Sequence, residues 1–441
     1  MKQYKYIILA LFAIISVGCE DQLTVQPAQS ISGDFAVTND RNVRNILIGV
    51  YDEAGQAASY GGRLQVIADL LGEGDNTVWA GTFIDPRQIK EKKILEDNGF
   101  VSGFWNNSYE VINQANIVID NIAVVNTDLQ AQTEGEARFL RALTYFDLAR
   151  HFTSGELSVP LRTEGILDYS VSLDISRANK TDVYDLIIND LESAISLLPE
   201  TNSFFADKYS AQALLARVYL HIGNMTEAKN AANNVIQMSG HSLSSNYAGA
   251  FNNDADTSED VFSFQVTSQS GTNSLITYYA DQPNGGRGGD IEIQDSYISS
   301  FDDANDERAN FFYSSAQTGA RLTSKYTNQF ANIPLIRLAE MYLIRAEGNV
   351  ANGTSDGDTP LNDLNALRAR SGATLLTGPI SKSTVLKERK LELAFEGFSI
   401  HDVIRNEGVV DGFLFNSNEL VLPIPQSELD TNSAMTQNPG Y

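Results

Sequence analysis

Apolar residues at helical spacing dominate the chain. Between Thr181 and Pro199 they recur every three or four positions, so they share one face of a helix that Thr181 can cap and Pro199 ends. A helix with one apolar face needs a partner to cover that face. The next striped segments, 213–222 and 226–238, are separated by a Gly-Asn break, and we predict that they pack as antiparallel neighbours. The pattern therefore predicts a mostly α-helical chain built from helix pairs.

A short internal repeat marks three helical segments. In each one an alanine is followed three residues later by a tyrosine, and four residues beyond by an alanine or a glycine. Small residues at this spacing let two helices approach closely, while the tyrosine ring fills the groove between pairs. The three sets are Ala142, Tyr145 and Ala149; Ala216, Tyr219 and Gly223; and Ala339, Tyr342 and Ala346. The second set continues through Ala228, Ala232 and Val235, and that full series resembles a tetratricopeptide unit. Because the sets are unevenly spaced, we predict irregular helix pairs separated by long insertions.

The largest insertion runs from 239 to 334. It is rich in Ser, Asn, Asp, Gly and aromatic residues, and it contains short alternating pieces such as 261–266. This composition is typical of loops, short strands and a few helical turns. The predicted fold class is therefore mostly α, with a helix-pair scaffold and a loop-rich insertion that carries short strands. A loop-rich region of this size beside a scaffold usually carries function.

The first residues have the pattern of an export signal. Two lysines precede an apolar run over 6–17, which is too short to span a bilayer but has the length of a secretory hydrophobic region. Small residues then lead to Cys19, the only cysteine, in an arrangement that resembles the lipobox of bacterial lipoproteins. We therefore expect a signal peptide over 1–18, acylation of Cys19, and one domain over 19–441 that is held to the membrane by lipid.

Charge narrows the range of partners. The chain has 31 Lys and Arg against 56 Asp and Glu, a formal net charge of -25. Such a field repels phosphate backbones, so no nucleic-acid partner is expected. The same argument weakly disfavours anionic polysaccharides, although a local basic patch can exist within an acidic whole. Neutral ligands are favoured.

The sequence does not predict an enzyme. The four histidines are widely separated along the chain, and none has the spacing of a zinc site. With 56 acidic residues some carboxylates meet by chance, so paired acids are no evidence for a glycosidase. The glycine cluster at 285–289 lacks the strand and helix of a phosphate cradle and is predicted to be a flexible turn. The segment 254–265 departs from an EF-hand loop at the glycine and at the closing glutamate. No catalytic residue, cofactor or dedicated metal site is predicted.

Three C-terminal motifs resemble a known family. They are IRLAEMYLIRAE at 336–347, KERKLELAFEGFSIHDVIR at 387–405 and LPIPQSELDTNSAMTQNPGY at 422–441. Together with the lipoprotein start and the irregular helix pairs, they resemble the SusD/RagB family of surface glycan-binding lipoproteins over essentially the whole mature chain. Within them Arg389, Glu392 and Glu396 are interpreted as scaffold, since they can pair along or between helices and buried charges must be satisfied.

The resemblance implies a function that resides in the loops. A SusD-like chain would be a non-catalytic lipoprotein at the cell surface of the outer membrane. It would capture an oligosaccharide or polysaccharide and pass it to a SusC-like TonB-dependent transporter, on which it sits as a lid. Two alternatives stay open: a tetratricopeptide-type scaffold whose tyrosine-lined groove holds a partner peptide, and a glycoside hydrolase, which would release reducing ends.

Sugar rings have weakly apolar faces ringed by hydroxyls, so a glycan site needs exposed flat aromatic rings and planar polar side chains. The candidate ligand-binding residues are Trp79, Phe83, Arg87, Tyr278, Tyr279, Asn284 and Arg287. For Trp79 two interpretations are open, stacking on a ligand or burial that holds its loop in place. Tyr278 and Tyr279 would point in opposite directions in strand geometry, so only one of them could face a ligand. Trp105 lies on an apolar helix stripe and is predicted to be core.

Overall fold

A computed structural model describes residues 37–170, 172–267 and 273–441. The predicted signal peptide and Cys19 lie outside the described residues. Within these three ranges no helix is long and apolar enough to cross a membrane.

The first half of the chain is helical, as the periodicity predicts. Its helices are α1 (Asp40–Ala54), α2 (Arg63–Gly72), α3 (Ile84–Lys90), α4 (Gly99–Asp120), α5 (Thr127–Phe152), α6 (Lys180–Leu197), α7 (Lys208–His221) and α8 (Met225–Met238). The α6 stripe is buried through Val183, Ile187 and Leu191, and the helix stops before Pro199. The predicted cap is wrong by two residues, because Asn179 occupies the N-cap position and Thr181 lies inside the first turn.

The remaining elements are shorter. Short strands and helical turns occupy the region predicted to be rich in loops, and longer helices resume after it. The strands are β1 (Thr77–Trp79), β2 (Asp260–Phe264), β3 (Ile291–Ile293), β4 (Phe312–Ser314), β5 (Arg321–Thr323), β6 (Ile333–Arg337), β7 (Val409–Val410) and β8 (Phe413–Leu414). The helices are α9 (Ser274–Tyr279), α10 (Asp295–Ile298), α11 (Leu338–Asn352), α12 (Pro360–Arg370), α13 (Lys382–Leu393), α14 (Ser399–Arg405) and α15 (Gln426–Thr431). The predicted fold class is confirmed.

The helices form one continuous array. Helix α1 packs on α4, and α4 to α8 then pack each on the next. Helix α8 packs on α11 although the loop-rich region separates them in sequence, and α11 also contacts α12 and α13. The insertion therefore leaves the scaffold uninterrupted.

Of the three repeat tyrosines, Tyr145 is a core packing residue, whereas Tyr219 and Tyr342 are only partly buried. Tyr145 is fully buried in α5, and its hydroxyl donates to the Arg162 carbonyl at 2.8 Å. Trp105 is buried as predicted, with its indole N–H donating to Glu428 at 3.2 Å. A peptide groove lined by the repeat tyrosines would need solvent-exposed rings, and the ring of Tyr145 is not exposed.

Residues of two C-terminal motifs, together with residues from elsewhere in the chain, form a charge cluster, which we define by Glu259, Arg308, Arg337, Arg370, Glu392 and Glu396. Arg337 lies 2.6 Å from Glu259, 3.1 Å from Glu392 and 2.8 Å from Glu396. Arg308 and Arg370 also pair with Glu392. Burial alone would raise the pKa of Glu392, but the surrounding guanidinium groups outweigh it and hold that pKa far below its usual range. For Glu392 and Glu396 the interpretation as scaffold agrees with this geometry, because their ion pairs join different elements. Arg389 lies outside the cluster and pairs with Asp402 at 2.9 Å.

Three histidines that are distant in sequence meet in the folded chain, with His151 and His401 buried and His221 partly buried. The ring centroids of His151 and His401 are 4.7 Å apart, and those of His221 and His401 are 6.2 Å apart. Burial lowers the pKa of His151 to about 4 and that of His221 to about 3. Across the described ranges, no group of three or more His, Cys, Asp or Glu side chains is arranged to hold a metal ion.

Candidate functional site

Pairing of β1 with β3 brings the two predicted site segments together. The strands are antiparallel, with Thr77 opposite Ile293 and Trp79 opposite Ile291. The turn after β1 and the glycine-rich turn before β3 therefore lie side by side, although 205 residues separate Thr82 from Arg287. Strand pairing of this range is invisible in local sequence patterns.

Trp79 holds the turn that follows β1. Its ring is only 8 % exposed and packs against Tyr278, with 6.2 Å between ring centroids. The indole N–H donates to the Phe83 carbonyl at 3.2 Å. Gly81 is packed so tightly against the Trp79 ring and Asp290 that a side chain would collide with both. The geometry favours the burial interpretation of Trp79.

Phe83 presents an aromatic ring to solvent. It is 44 % exposed, and the Arg287 guanidinium lies 3.7 Å from its ring centroid. Arg287 also donates to the Thr82 hydroxyl at 3.1 Å and lies 3.2 Å from the Asp290 carboxylate. Burial raises the pKa of Asp290, and Arg287 partly offsets that rise. We call this region, defined by Thr82, Phe83, Arg87 and Arg287, the Phe83 surface.

The glycine-rich turn is fixed by its own backbone. The Gly286 N–H donates to the Asp281 carbonyl at 2.9 Å, and the Gly289 N–H donates to Ala280 at 2.8 Å. A side chain at Gly286 would collide with the Ala280 carbonyl. These contacts define a tight, ordered turn and so set the direction from which Arg287 reaches Phe83.

The polar candidates have local partners. Arg87 is exposed and donates to the Gly81 carbonyl at 3.0 Å, which supports the turn that carries Phe83. Asn284 donates to the Asp281 carboxylate at 2.8 Å. The structure therefore places Arg87 at the Phe83 surface and Asn284 on the neighbouring glycine-rich turn. Ligand contact by either residue stays a prediction.

The strand geometry predicted for Tyr278 and Tyr279 is wrong. Both lie in the short helix α9, and both rings are buried. Tyr278 packs on Phe100, and the Tyr279 hydroxyl donates to Asp69 at 2.7 Å. Burial, with the Asp69 carboxylate adding to it, raises the pKa of Tyr279 well above its ordinary value. Neither ring offers an open face, so a ligand could reach either tyrosine only after a rearrangement of α9.

The Phe83 surface is suited to binding. An exposed ring can lie against the apolar face of a flat ligand, while hydroxyl and guanidinium groups beside it hydrogen-bond at the ligand's edge. Arg287 provides the guanidinium group and Thr82 the hydroxyl group. Thr82 was not among the residues predicted from the sequence. The contact of Arg287 with Phe83 could not be foreseen either, because it depends on the pairing of β1 with β3.

Comparison with known proteins assigns the family. Residues 23–220 match the SusD-like family described as starch-binding and associating with the outer membrane, and residues 294–419 match the SusD family. The chain belongs to the SusD/RagB family. SusD/RagB proteins are carbohydrate-binding proteins associated with the outer membrane.

Individual relatives span all or most of the SusD-like chain. SusD-like protein P2 of Formosa agariphila is 26 % identical, with 100 % of both chains covered. A putative sugar binding protein from Bacteroides vulgatus has a solved structure that is 27 % identical, with a TM-score of 0.82 over 92 % of this chain and 99 % of that one. A laminarin binding SusD-like protein has the same fold, with 23 % identity and a TM-score of 0.76 over 92 % of this chain and 100 % of that one.

Proposed function

We propose that this SusD/RagB protein is a non-catalytic lipoprotein, anchored at the cell surface through Cys19, which binds an oligosaccharide and delivers it to a SusC-like TonB-dependent transporter. The lipobox-like start supports the anchor. Family membership and the names of relatives support a saccharide as the ligand. One of these relatives is the starch-binding protein SusD of Bacteroides thetaiotaomicron, which is 29 % identical over 42 % of this chain and 36 % of its own.

The exposed ring of Phe83 carries the proposal. Burying a phenylalanine side chain stabilises a protein by roughly 1.5–3 kcal/mol. A fold that holds a phenylalanine ring half exposed to solvent therefore loses part of this stabilisation. Trp79 and Arg87 hold the turn in this arrangement through the Phe83 and Gly81 carbonyls. A sugar ring can then lie on the free face of Phe83, with Thr82, Arg87 and Arg287 as partners for its hydroxyls.

Isothermal titration with maltoheptaose and laminariheptaose tests this site. These probes follow the starch and laminarin named for relatives. We expect the wild-type protein to bind at least one of them, and Phe83→Ala to lose one bound heptaose per chain or to bind it at least tenfold more weakly, with an unchanged urea midpoint.

The matched control is Tyr169→Ala. Tyr169 is an exposed aromatic residue on the loop between α5 and α6, where its hydroxyl accepts from Asn113 at 3.1 Å. This variant is expected to bind as the wild type does. Equal affinity and equal stoichiometry of Phe83→Ala and wild type would remove the Phe83 surface as the site.

A further inference from the structure

A second half-exposed phenylalanine lies in a groove between α1, the loop after α6 and the end of β2. The groove has a volume of 310 Å³. Phe204 is 49 % exposed at its edge, and Ile48 on α1 is also exposed. We call it the Phe204 groove and define it by Ile48, Asp52, Gln56, Phe204 and Phe205.

The loop that carries Phe204 is firmly held. The Asn202 amide accepts from Gln132 at 2.8 Å, and it donates to Glu136 and to the Ala206 carbonyl, both at 2.9 Å. Ser203, directly before Phe204, has a φ of 56°, in the left-handed region that a non-glycine residue adopts only at a cost in free energy. The exposure of the ring is therefore set by the fold.

Aromatic packing supports Phe204 from the protein side. Its ring lies 4.5 Å from that of Phe205, and Phe205 lies 5.0 Å from Tyr51. The Tyr51 hydroxyl accepts from the Ala206 N–H at 3.0 Å, which ties the stack to the loop. Phe204 is thus a ring supported from behind whose remaining surface faces solvent.

The groove that holds the ring is also lined by uncharged and acidic polar residues. Asp52 and Gln56 are exposed at the end of α1, and the Gln56 amide donates to the Asp52 carbonyl at 3.1 Å and to its carboxylate at 3.3 Å. Among the described residues that line the groove there is no lysine or arginine. The groove can therefore hydrogen-bond to hydroxyls, and its charge disfavours an anionic ligand.

The groove is separate from the Phe83 surface. Helix α9 lies between them, because the N–H of its first residue, Ser274, donates to the Gly61 carbonyl beside the groove at 2.9 Å. Near its other end, Tyr278 packs on Trp79 under the Phe83 turn. The two regions share no lining residue.

We propose that the Phe204 groove is a second saccharide-binding site, selective for neutral sugars; the inference rests on the proposed function. Its volume falls within the range of about 300 to 1,000 Å³ typical of small-molecule sites. A half-exposed ring in a groove that is also lined by a carboxylate and a planar amide offers a stacking surface and hydrogen-bond partners for a hexose. At the Phe83 surface the partners are guanidinium groups, so the two sites differ in charge.

Titration with maltotriose and laminaritriose tests the inference, because a trisaccharide is too short to join the two regions readily. We expect two sugars per wild-type chain for at least one probe. Phe204→Ala and Phe83→Ala should each retain one sugar per chain, and the double variant should bind none. Asp52→Ala should weaken only the site that Phe204→Ala removes, by about fivefold, with an unchanged urea midpoint. Tyr169→Ala serves as the control that keeps both sites.

One sugar per chain, lost in Phe83→Ala and kept in Phe204→Ala, would overturn the second site while the proposed function stands. A wild-type chain that binds neither trisaccharide would also overturn it; the heptaose titrations then judge the Phe83 surface independently. Two sugars per chain in Phe204→Ala would place the second site elsewhere and reject the groove.

Discussion

The charge cluster and the Phe83 surface use arginine in opposite ways. In the cluster Arg337 is buried and forms ion pairs with three carboxylates, so its N–H groups are used within the protein. At the Phe83 surface Arg287 is partly exposed and lies over a ring that is itself half in solvent. The residues that identify the family therefore hold the scaffold, whereas binding capacity remains where side chains keep open faces.

Removing the central arginine of the cluster should have the largest effect. Arg337→Met leaves Glu259, Glu392 and Glu396 short of a buried positive partner, and breaking such a pair costs about 3–5 kcal/mol. Urea unfolding should show this loss. Arg321→Met, which breaks an exposed pair with Asp295, is the control and should cost at most about 1 kcal/mol. Equal losses would show that the cluster is not the stabilising element we describe.

The buried histidines should make stability depend on pH. Their folded pKa values, about 4 for His151 and about 3 for His221, lie below the unfolded value of about 6.5, so the unfolded chain takes up protons first. Stability is fully present above pH 6.5 and falls as the pH drops from there toward 4. Each histidine lowers it by up to about 1.4 kcal/mol per pH unit.

His401→Phe sharpens that prediction. Burial lowers the pKa of His401 well below its ordinary value, and within the described structure neither ring nitrogen has a hydrogen-bond partner. A cavity of 20 Å³ beside the ring gives space for the larger side chain. As the pH falls from 7 to 5, the variant should gain stability relative to wild type, by at most about 1.4 kcal/mol per pH unit, because it lacks the imidazole that the unfolded wild-type chain protonates. The same stability difference at both pH values would contradict the account.

The smallest effect belongs to the buried tyrosine. Tyr279→Phe removes one hydrogen bond, to Asp69, and should lower the free energy of unfolding by about 1–2 kcal/mol. Because the ring is fully buried, affinity for maltoheptaose and laminariheptaose should stay within twofold of wild type. A large loss of affinity in this variant, with stability little changed, would return Tyr279 to the ligand site.

Local patterns predicted the scaffold well. The α6 stripe and the stop at Pro199 follow from periodicity and from the shape of proline, which act within a few residues. The six-residue helix α9 was missed because so short a segment has no helical period to detect, and packing on Asp69 and Phe100 decides its burial. Net charge likewise averages over the chain, so it could not show that the Arg287 guanidinium lies beside the Phe83 ring.

Contacts between residues that are distant in the chain could not be predicted from the sequence. Phe83 and Trp79 were identified as aromatic candidates, but their different exposure depends on how the turn folds over the β1–β3 pair. The contact of Arg287 with Phe83 and the meeting of His151 with His401 join segments more than a hundred positions apart. Only the folded chain brings these groups together.

A crystal structure with bound laminariheptaose or maltoheptaose tests the central claim most directly. We predict an intact saccharide with one sugar ring lying against the open face of Phe83 and its hydroxyls bonded to Thr82, Arg87 or Arg287. A saccharide held only between the scaffold helices, or one cleaved in the crystal, would contradict the account.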